Sequence, residues 1–255
     1  MKKLTMITLA VAALLSACGG GGGSDTSSGP VAPSITPRSI AGVYENDALP
    51  GTSRMILDPD GTFWSLAVDR INNPTVAGVS TGLSSVSDSG VFSASGTGYI
   101  VNTASWGWSN FSINGNTKGD GHLTYTITAF NQTSGGSLSR IATGTTATGA
   151  IPSRTYIINP MISFTTSQLT EFSSSFVVNG TTVSGVSGGC SFTGTTTDNG
   201  LGYSHVSVRF ANTNACLHPN QTVYGVATYD TTQQKLVVML RLDPQPYTVY
   251  LGVSM

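Results

Sequence analysis

Charged side chains are scarce in this sequence. Lys, Arg, Asp and Glu together make up 9% of the 255 residues, against about 25% in typical soluble proteins. The formal net charge of −1 leaves no basic stripe that could neutralise a phosphate backbone. We therefore expect no nucleic-acid partner, and a surface built largely from Ser, Thr, Asn and Gln.

Histidine and cysteine are also rare, with three of each. No Cys–His spacing of the zinc type is present, and nothing indicates a metal or another cofactor. His205 falls on the polar face of its strand, where a solvated imidazole is the ordinary outcome, although it could meet Asp198 or Asp230 in space. Gly78–Gly82 and Gly185–Gly189 fit the G-x-S-x-G pattern of hydrolases, but neither precedes a helix.

We accordingly predict no catalytic residues and a protein that is not an enzyme. The least favoured alternative is an envelope hydrolase. That alternative requires a serine or aspartate cluster close to His205 or His122, because a nucleophile needs a base within hydrogen-bond reach.

Long hydrophobic runs are missing as well. The apolar segment from Leu4 to Leu15 is too short to cross a hydrocarbon core of about 30 Å as a helix. Because Lys2 and Lys3 precede it, the segment predicts an export signal over residues 1–17.

The end of this segment, Leu15-Ser16-Ala17-Cys18, resembles the lipobox of bacterial lipoproteins. The resemblance implies a diacylglyceryl group on the Cys18 sulfur, cleavage just before Cys18 and acylation of the new amino terminus. Each buried methylene contributes about 0.8 kcal/mol, and stable anchoring needs more than one chain. Because Gly19 replaces the aspartate that signals inner-membrane retention, we expect a lipid-anchored protein of the outer membrane, with the leaflet left open.

Residues 18–37 are rich in Gly, Ser, Thr and Pro and hold too few apolar residues to form a core. A flexible chain of this length has an end-to-end distance of roughly 25 Å. The segment is therefore predicted to be a tether between the membrane and a folded body.

The two remaining cysteines, Cys190 and Cys216, are an even number in an exported chain, which favours a disulfide. Closing their loop stabilises a fold by roughly 3–4 kcal/mol in the chain-entropy model. Buried thiols or metal ligands are the alternative.

The rest of the chain reads as short strands separated by turns. Arg54–Leu57 and Thr62–Val68 flank Asp58-Pro59-Asp60-Gly61, whose residues suit a type I turn. Asn179-Gly180 marks a second hairpin, and only Ser167–Phe172 suits a short helix. Further strands are predicted at His122–Phe130, Ser204–Phe210, Thr222–Tyr229, Lys235–Leu242 and Tyr247–Val253. The fold class is therefore all-β, an antiparallel sandwich or barrel.

A weak internal repeat joins Asp60–Ser65 to Asn179–Ser184 at an offset of 119 residues. It suggests two related β units, 38–150 and 151–255, which could also form one domain. The alternative is that hairpins reuse the same turn residues without any relationship.

The chain also resembles uncharacterised glycine-tethered envelope lipoproteins of proteobacteria. The matching motifs are Asp60-Gly61-Thr62-Phe63, Gly189–Gly194, Cys216 and Gly225-Val226-Ala227. No established activity comes with this resemblance.

The tryptophans are the candidate ligand contacts. Trp106-Gly107-Trp108 places two indoles two residues apart on one strand, either buried or as a flat binding platform. We therefore expect an anchored protein that binds an unknown envelope or extracellular ligand. The alternative is a lipocalin-like barrel that carries a small apolar ligand, with Trp64, Trp106 and Trp108 lining its interior.

Overall fold

The computed structural model describes residues 36, 39–48, 53–69, 75–101, 106–142, 147–164, 169–242 and 249–254. These residues form seventeen strands and no helix, which confirms the all-β class. The described part of the chain therefore has no helix that could span a membrane. The predicted signal, Cys18 and, apart from Thr36, the tether lie outside the described residues.

The first sheet is a closed barrel of eight antiparallel strands in chain order. Its strands are β1 (Gly42–Asn46), β2 (Ser53–Leu57), β3 (Thr62–Asp69), β4 (Thr75–Val86), β5 (Val91–Val101), β6 (Trp106–Thr117), β7 (His122–Ala129) and β8 (Gln132–Arg140). β8 returns to β1 through three residue pairs, which include Tyr44 opposite Arg140.

The second sheet repeats this arrangement. Its strands are β9 (Ala147–Thr148), β10 (Thr155–Phe164), β11 (Leu169–Asn179), β12 (Thr182–Ser187), β13 (Cys190–Asp198), β14 (Ser204–Phe210), β15 (Thr222–Asp230), β16 (Lys235–Leu242) and β17 (Val249–Ser254). Each strand from β10 to β17 pairs with the next one, and β17 also pairs with β10. β10 to β17 thus form a second antiparallel ring of eight strands, to which the short β9 is added alongside β15.

Turn chemistry explains both predicted hairpins. In the first, Gly61 donates its N–H to the Asp58 carbonyl at 3.0 Å and has φ of +91°, a conformation that glycine tolerates best. In the second, Asn179 pairs with Thr182, so Gly180 and Thr181 occupy the central positions, one residue later than predicted. Gly180 has φ of +59°, as the first central residue of a type II′ turn requires.

The apolar residues form three clusters. One lies within the first sheet and includes Tyr44, Phe63, Phe92, Phe111 and Leu123. Another lies within the second sheet and includes Phe176, Phe192, Val208, Val238 and Leu240. The third joins the sheets and contains Val43, Ile56, Trp64, Leu66, Val79 and Tyr99 of the first together with Tyr203, Val226, Val237 and Met239 of the second.

Strand alternation explains this third cluster. In β3, Phe63 belongs to the core within the first sheet while its neighbour Trp64 belongs to the cluster between the sheets. In β16, Val238 belongs to the core within the second sheet and Met239 belongs to the cluster between the sheets. Successive side chains point to opposite faces of a strand, so these strands bury both faces.

The predicted short helix at Ser167–Phe172 is wrong where the structure describes it, because Leu169–Phe172 belongs to β11. That strand pairs on both sides, with β10 and β12, and these ladders override a weak local helical preference. The three strands predicted near the carboxyl end are confirmed as β15, β16 and β17.

The repeated segments occupy corresponding positions, because each spans the hairpin between the second and third strand of its ring. Ser34–Met255 forms a single compact unit by its contacts. The division into units 38–150 and 151–255 stays a prediction.

Candidate functional site

A groove of about 320 Å³ lies where the first sheet meets the second. The β2–β3 turn and the start of β3 supply one wall. The outward faces of β13, β14 and β15 supply the other. Its polar and aromatic lining residues include Asp58, Asp60 and Trp64 from the first sheet and Thr195, Thr197, His205, Ser207 and Tyr224 from the second.

A hydrogen bond between two side chains crosses this groove. The Nε2–H of His205, on β14, donates to Oδ2 of Asp58, in the β2–β3 turn. The Asp58 side chain is 12% exposed and that of His205 is 51% exposed. The hydrogen bond to Asp58 raises the pKa of His205, and burial only partly opposes it. His205 thus contacts neither Asp198 nor Asp230 in the hydrogen bonds that the structure describes, but an aspartate 147 residues away.

The suggested aspartates have other roles. Asp198 accepts the Gly200 N–H at 2.9 Å within a loop. Asp230 accepts two backbone N–H groups of the turn after β15. Its other oxygen binds Arg54 at 2.6 Å.

Arg54 makes a second link between the sheets. Its guanidinium contacts Glu45 at 2.7 Å within the first sheet and Asp230 at 2.6 Å in the second. The Arg54 and Asp230 side chains are only 7% and 8% exposed. Because buried charges need such partners, this three-residue network links the two sheets to each other.

Tyr224 is the exposed aromatic residue of the groove. It lies on β15 with 51% of its surface accessible. In the ladder it stands between Ser207 of β14 and Arg241 of β16. The Arg241 guanidinium covers the ring of Trp64 at 5.6 Å from the ring centroid, a cation–π geometry.

Two of the three predicted tryptophans contact the cluster between the sheets. Trp64 is buried between the sheets and contributes to the groove wall. Trp108 is partly buried against the same cluster, edge-on to Tyr99, and so is not in the core of the first ring. The side chain of Trp106 lies outside the described residues. A shared platform of Trp106 and Trp108 therefore stays a prediction.

The predicted disulfide is confirmed between Cys190 and Cys216, whose Cα atoms are 4.6 Å apart. It fastens the loop after β14 to the start of β13. A second groove of about 410 Å³ adjoins the disulfide and is lined by Phe210, Leu217 and His218 among others. Burial lowers the pKa of His218, so this groove carries little charge from the imidazole at neutral pH.

A serine does lie beside His122. The Ser139 Oγ and the His122 Nδ1 are 2.9 Å apart, because the two residues are paired across β7 and β8. Hydrogen bonds from the Ser139 and Ser137 hydroxyls lower the pKa of Asp47. In a Ser–His–Asp triad the aspartate is hydrogen-bonded to the histidine, whereas the hydrogen bonds to Asp47 come from the two serines.

The serines of the two G-x-S-x-G segments lie in strands. Ser80 is a buried residue of β4, and Ser187 ends β12 with its Oγ 2.6 Å from the Ser174 Oγ. The described residues contain no group of three or more His, Cys, Asp or Glu side chains that could hold a metal ion.

The sequence patterns predict neither the groove nor the place of Asp58 and Tyr224 in it. The pattern around Asp58 indicates a turn residue, a role that it also has, since its carbonyl accepts the Gly61 N–H. Tyr224 could have been noticed as an aromatic residue on the face opposite Val223, which is fully buried. The pairing of Asp58 with His205 had no local signal.

Comparisons with protein-family models, curated proteins and solved structures found no match to this chain.

Proposed function

We propose that this chain is a membrane-anchored envelope lipoprotein whose β-barrel body binds a ligand in the groove between its two sheets. The anchoring part is supported by the resemblance of Leu15-Ser16-Ala17-Cys18 to a lipobox and by the Gly- and Ser-rich segment after it. The binding part is supported by one observation above all. Carboxylate, imidazole, hydroxyl and aromatic side chains from both sheets converge in the groove, as in small-molecule sites.

Anchoring is tested with the full chain carrying Cys18→Ser. We expect the variant to leave the membrane fraction, because no thiol is left to carry acyl chains. Ser28→Ala, a change within the predicted tether, is the matched control and should stay with the membrane. Mass spectrometry of the amino-terminal peptide should find acyl groups on Cys18 in the unchanged protein. Unaltered fractionation of Cys18→Ser would refute the anchor.

Binding is tested by a thermal-shift screen of small sugars, amino acids, short peptides and fatty acids against the purified full chain. We expect at least one class to raise the midpoint of unfolding, since a ligand that binds only the folded state stabilises it. The shift should be lost in Tyr224→Ala and retained in Val91→Ala, an exposed residue of β5 outside the groove. A screen without any Tyr224-dependent compound would refute the groove as the binding site.

A second candidate function is the carriage of a small apolar ligand inside a ring. The observation that favours it is the closed eight-stranded barrel, a size that can enclose one small molecule or be filled by side chains. Phe63 and Phe111 pack edge-to-face in the core of the first ring, so a ligand there would have to displace them. Titration with a fluorescent fatty acid separates the two functions, because binding inside a ring would be unaffected by Tyr224→Ala.

A further inference from the structure

We propose that the groove between the sheets binds a neutral glycan, with one sugar ring lying against Tyr224 and its hydroxyls bonded to the polar side chains around it. This inference rests on the proposed function, because it names the chemical class of ligand for the same groove.

Three hydroxyl-bearing residues of the groove form a row on neighbouring strands. Thr195, Ser207 and Tyr224 are paired in register across β13, β14 and β15, and all three line the groove. Neighbouring strands are about 4.8 Å apart, so the row spans roughly 10 Å, comparable to two linked sugar rings. Each hydroxyl can both donate and accept a hydrogen bond. Sugar hydroxyls have the same dual character, and can therefore pair with this row in either direction.

The exposed aromatic ring supplies the apolar part of the site. A sugar ring has one face of C–H groups, which packs well against an aromatic side chain that is apolar in its body and polar at its tip. Tyr224 is such a residue and is half exposed. Trp64 is buried and its ring is covered by the Arg241 guanidinium, so we assign it to the wall and not to the stacking surface.

The charges of the groove disfavour an anionic ligand. Asp58 and Asp60 both line it, and two carboxylates oppose an anion in a partly buried site. His205 is hydrogen-bonded to Asp58, and the Arg241 guanidinium lies over Trp64. A wholly apolar ligand is disfavoured too, because it would desolvate the carboxylates and hydroxyls without hydrogen-bonding to them.

The volume limits the size of the bound portion. About 320 Å³ is at the small end of the range for small-molecule sites, roughly 300–1,000 Å³. The groove is also open to solvent along the second sheet, since Thr195 and Thr197 are exposed. A terminal one- or two-ring unit of a longer glycan would fit this shape.

The test is a glycan array probed with the purified full chain in a zwitterionic detergent, which avoids competition from sugar-based detergents. The array carries neutral gluco-, galacto-, manno- and N-acetylglucosamine oligosaccharides, with sialylated and sulfated versions as matched anionic probes. We expect neutral glycans to bind, and their anionic versions to bind several-fold more weakly.

Variants locate the binding. Tyr224→Ala should weaken it by about tenfold, as expected for loss of a central aromatic contact. Tyr224→Trp, which keeps a stacking ring, should retain most of it. Asp60→Asn should also weaken binding, whereas Val91→Ala should not. Circular dichroism and the unfolding midpoint check that each variant is folded.

Three results overturn the inference. They are no neutral glycan above the blank, equal binding of Tyr224→Ala and the unchanged protein, or a preference for anionic glycans. If the thermal-shift screen finds Tyr224-dependent amino acids or peptides while the array is blank, the glycan inference fails and the proposed function stands. If neither assay finds a Tyr224-dependent ligand, both fail.

Discussion

The two sheets have the same ring of eight antiparallel strands but are closed and stabilised differently. The first closes by three residue pairs between β1 and β8 around a core rich in phenylalanine. The second joins its first and last strands, β10 and β17, by five residue pairs, and it includes the β14–β15 pairing, with six residue pairs. These strands are separated by residues 211–221, which contain no strand. A disulfide holds that stretch at Cys216 to Cys190 of β13.

This difference indicates that the long loop of the second sheet requires additional stabilisation, whereas the short turn of the first sheet does not. Ordering a long irregular loop has a large conformational entropy cost, and a covalent link reduces that cost by restricting the unfolded chain. The β2–β3 turn of the first sheet is short and satisfies its own backbone, with Thr62 N–H donating to the Asp60 carboxylate at 2.7 Å. The first sheet can therefore hold Asp58 and Asp60 toward the second sheet without a disulfide.

The largest expected effect comes from Arg54, which connects the sheets. Arg54→Ala should lower the free energy of unfolding by roughly 3–5 kcal/mol, because the buried Asp230 and the partly buried Glu45 would remain without their cation. Urea unfolding followed by tryptophan fluorescence measures the loss.

The control for that change is Arg209→Ala, an exposed arginine bonded to Asn220. It should change the free energy of unfolding by less than about 0.5 kcal/mol. If the two variants were equally stable, the buried network would not be what links the sheets.

The disulfide distinguishes the sheets most directly. Replacing both Cys190 and Cys216 by Ala should lower the free energy of unfolding by roughly 3–4 kcal/mol. Amide hydrogen exchange should rise more in residues 211–221 than in the β2–β3 turn. A uniform rise in both regions would show that the bond does not act locally on the second sheet.

The smallest effect concerns His205 and depends on pH. Its pKa is raised in the folded protein, chiefly by the hydrogen bond to Asp58. The stability that protonated His205 contributes is therefore fully present below the unfolded pKa of about 6.5, and is lost as the pH rises through the folded pKa.

Unfolding midpoints between pH 5 and 9 test this. At the acidic end the unfolding midpoint of the unchanged protein should be higher than that of His205→Gln. This difference in midpoint should shrink above pH 6.5, by a few degrees at most, because the imidazole is half exposed. Asp58→Asn should remove the same pH-dependent gap. A gap that persists in Asp58→Asn would assign the effect to another group.

Much of the fold could be predicted from local patterns. The strict alternation of apolar and threonine residues from His122 to Ala129 is reproduced in the burial of β7. The turn residues Asp58 and Gly61 appear in the conformations that their chemistry requires. The helix predicted at Ser167–Phe172 is wrong over Leu169–Phe172, because that segment is a strand only through its pairing with β10 and β12.

The sequence by itself determined what neighbouring residues decide: the strand period, the β2–β3 turn, the all-β class and the pairing of the only two cysteines beyond Cys18. Only the tertiary structure decided which outward strand faces are buried and which polar groups meet. Trp64 is covered because β3 packs against the second sheet. Asp58 meets His205 across 147 residues. Such contacts follow from the packing of two curved sheets. The neighbours of a residue along the chain do not indicate how the sheets pack.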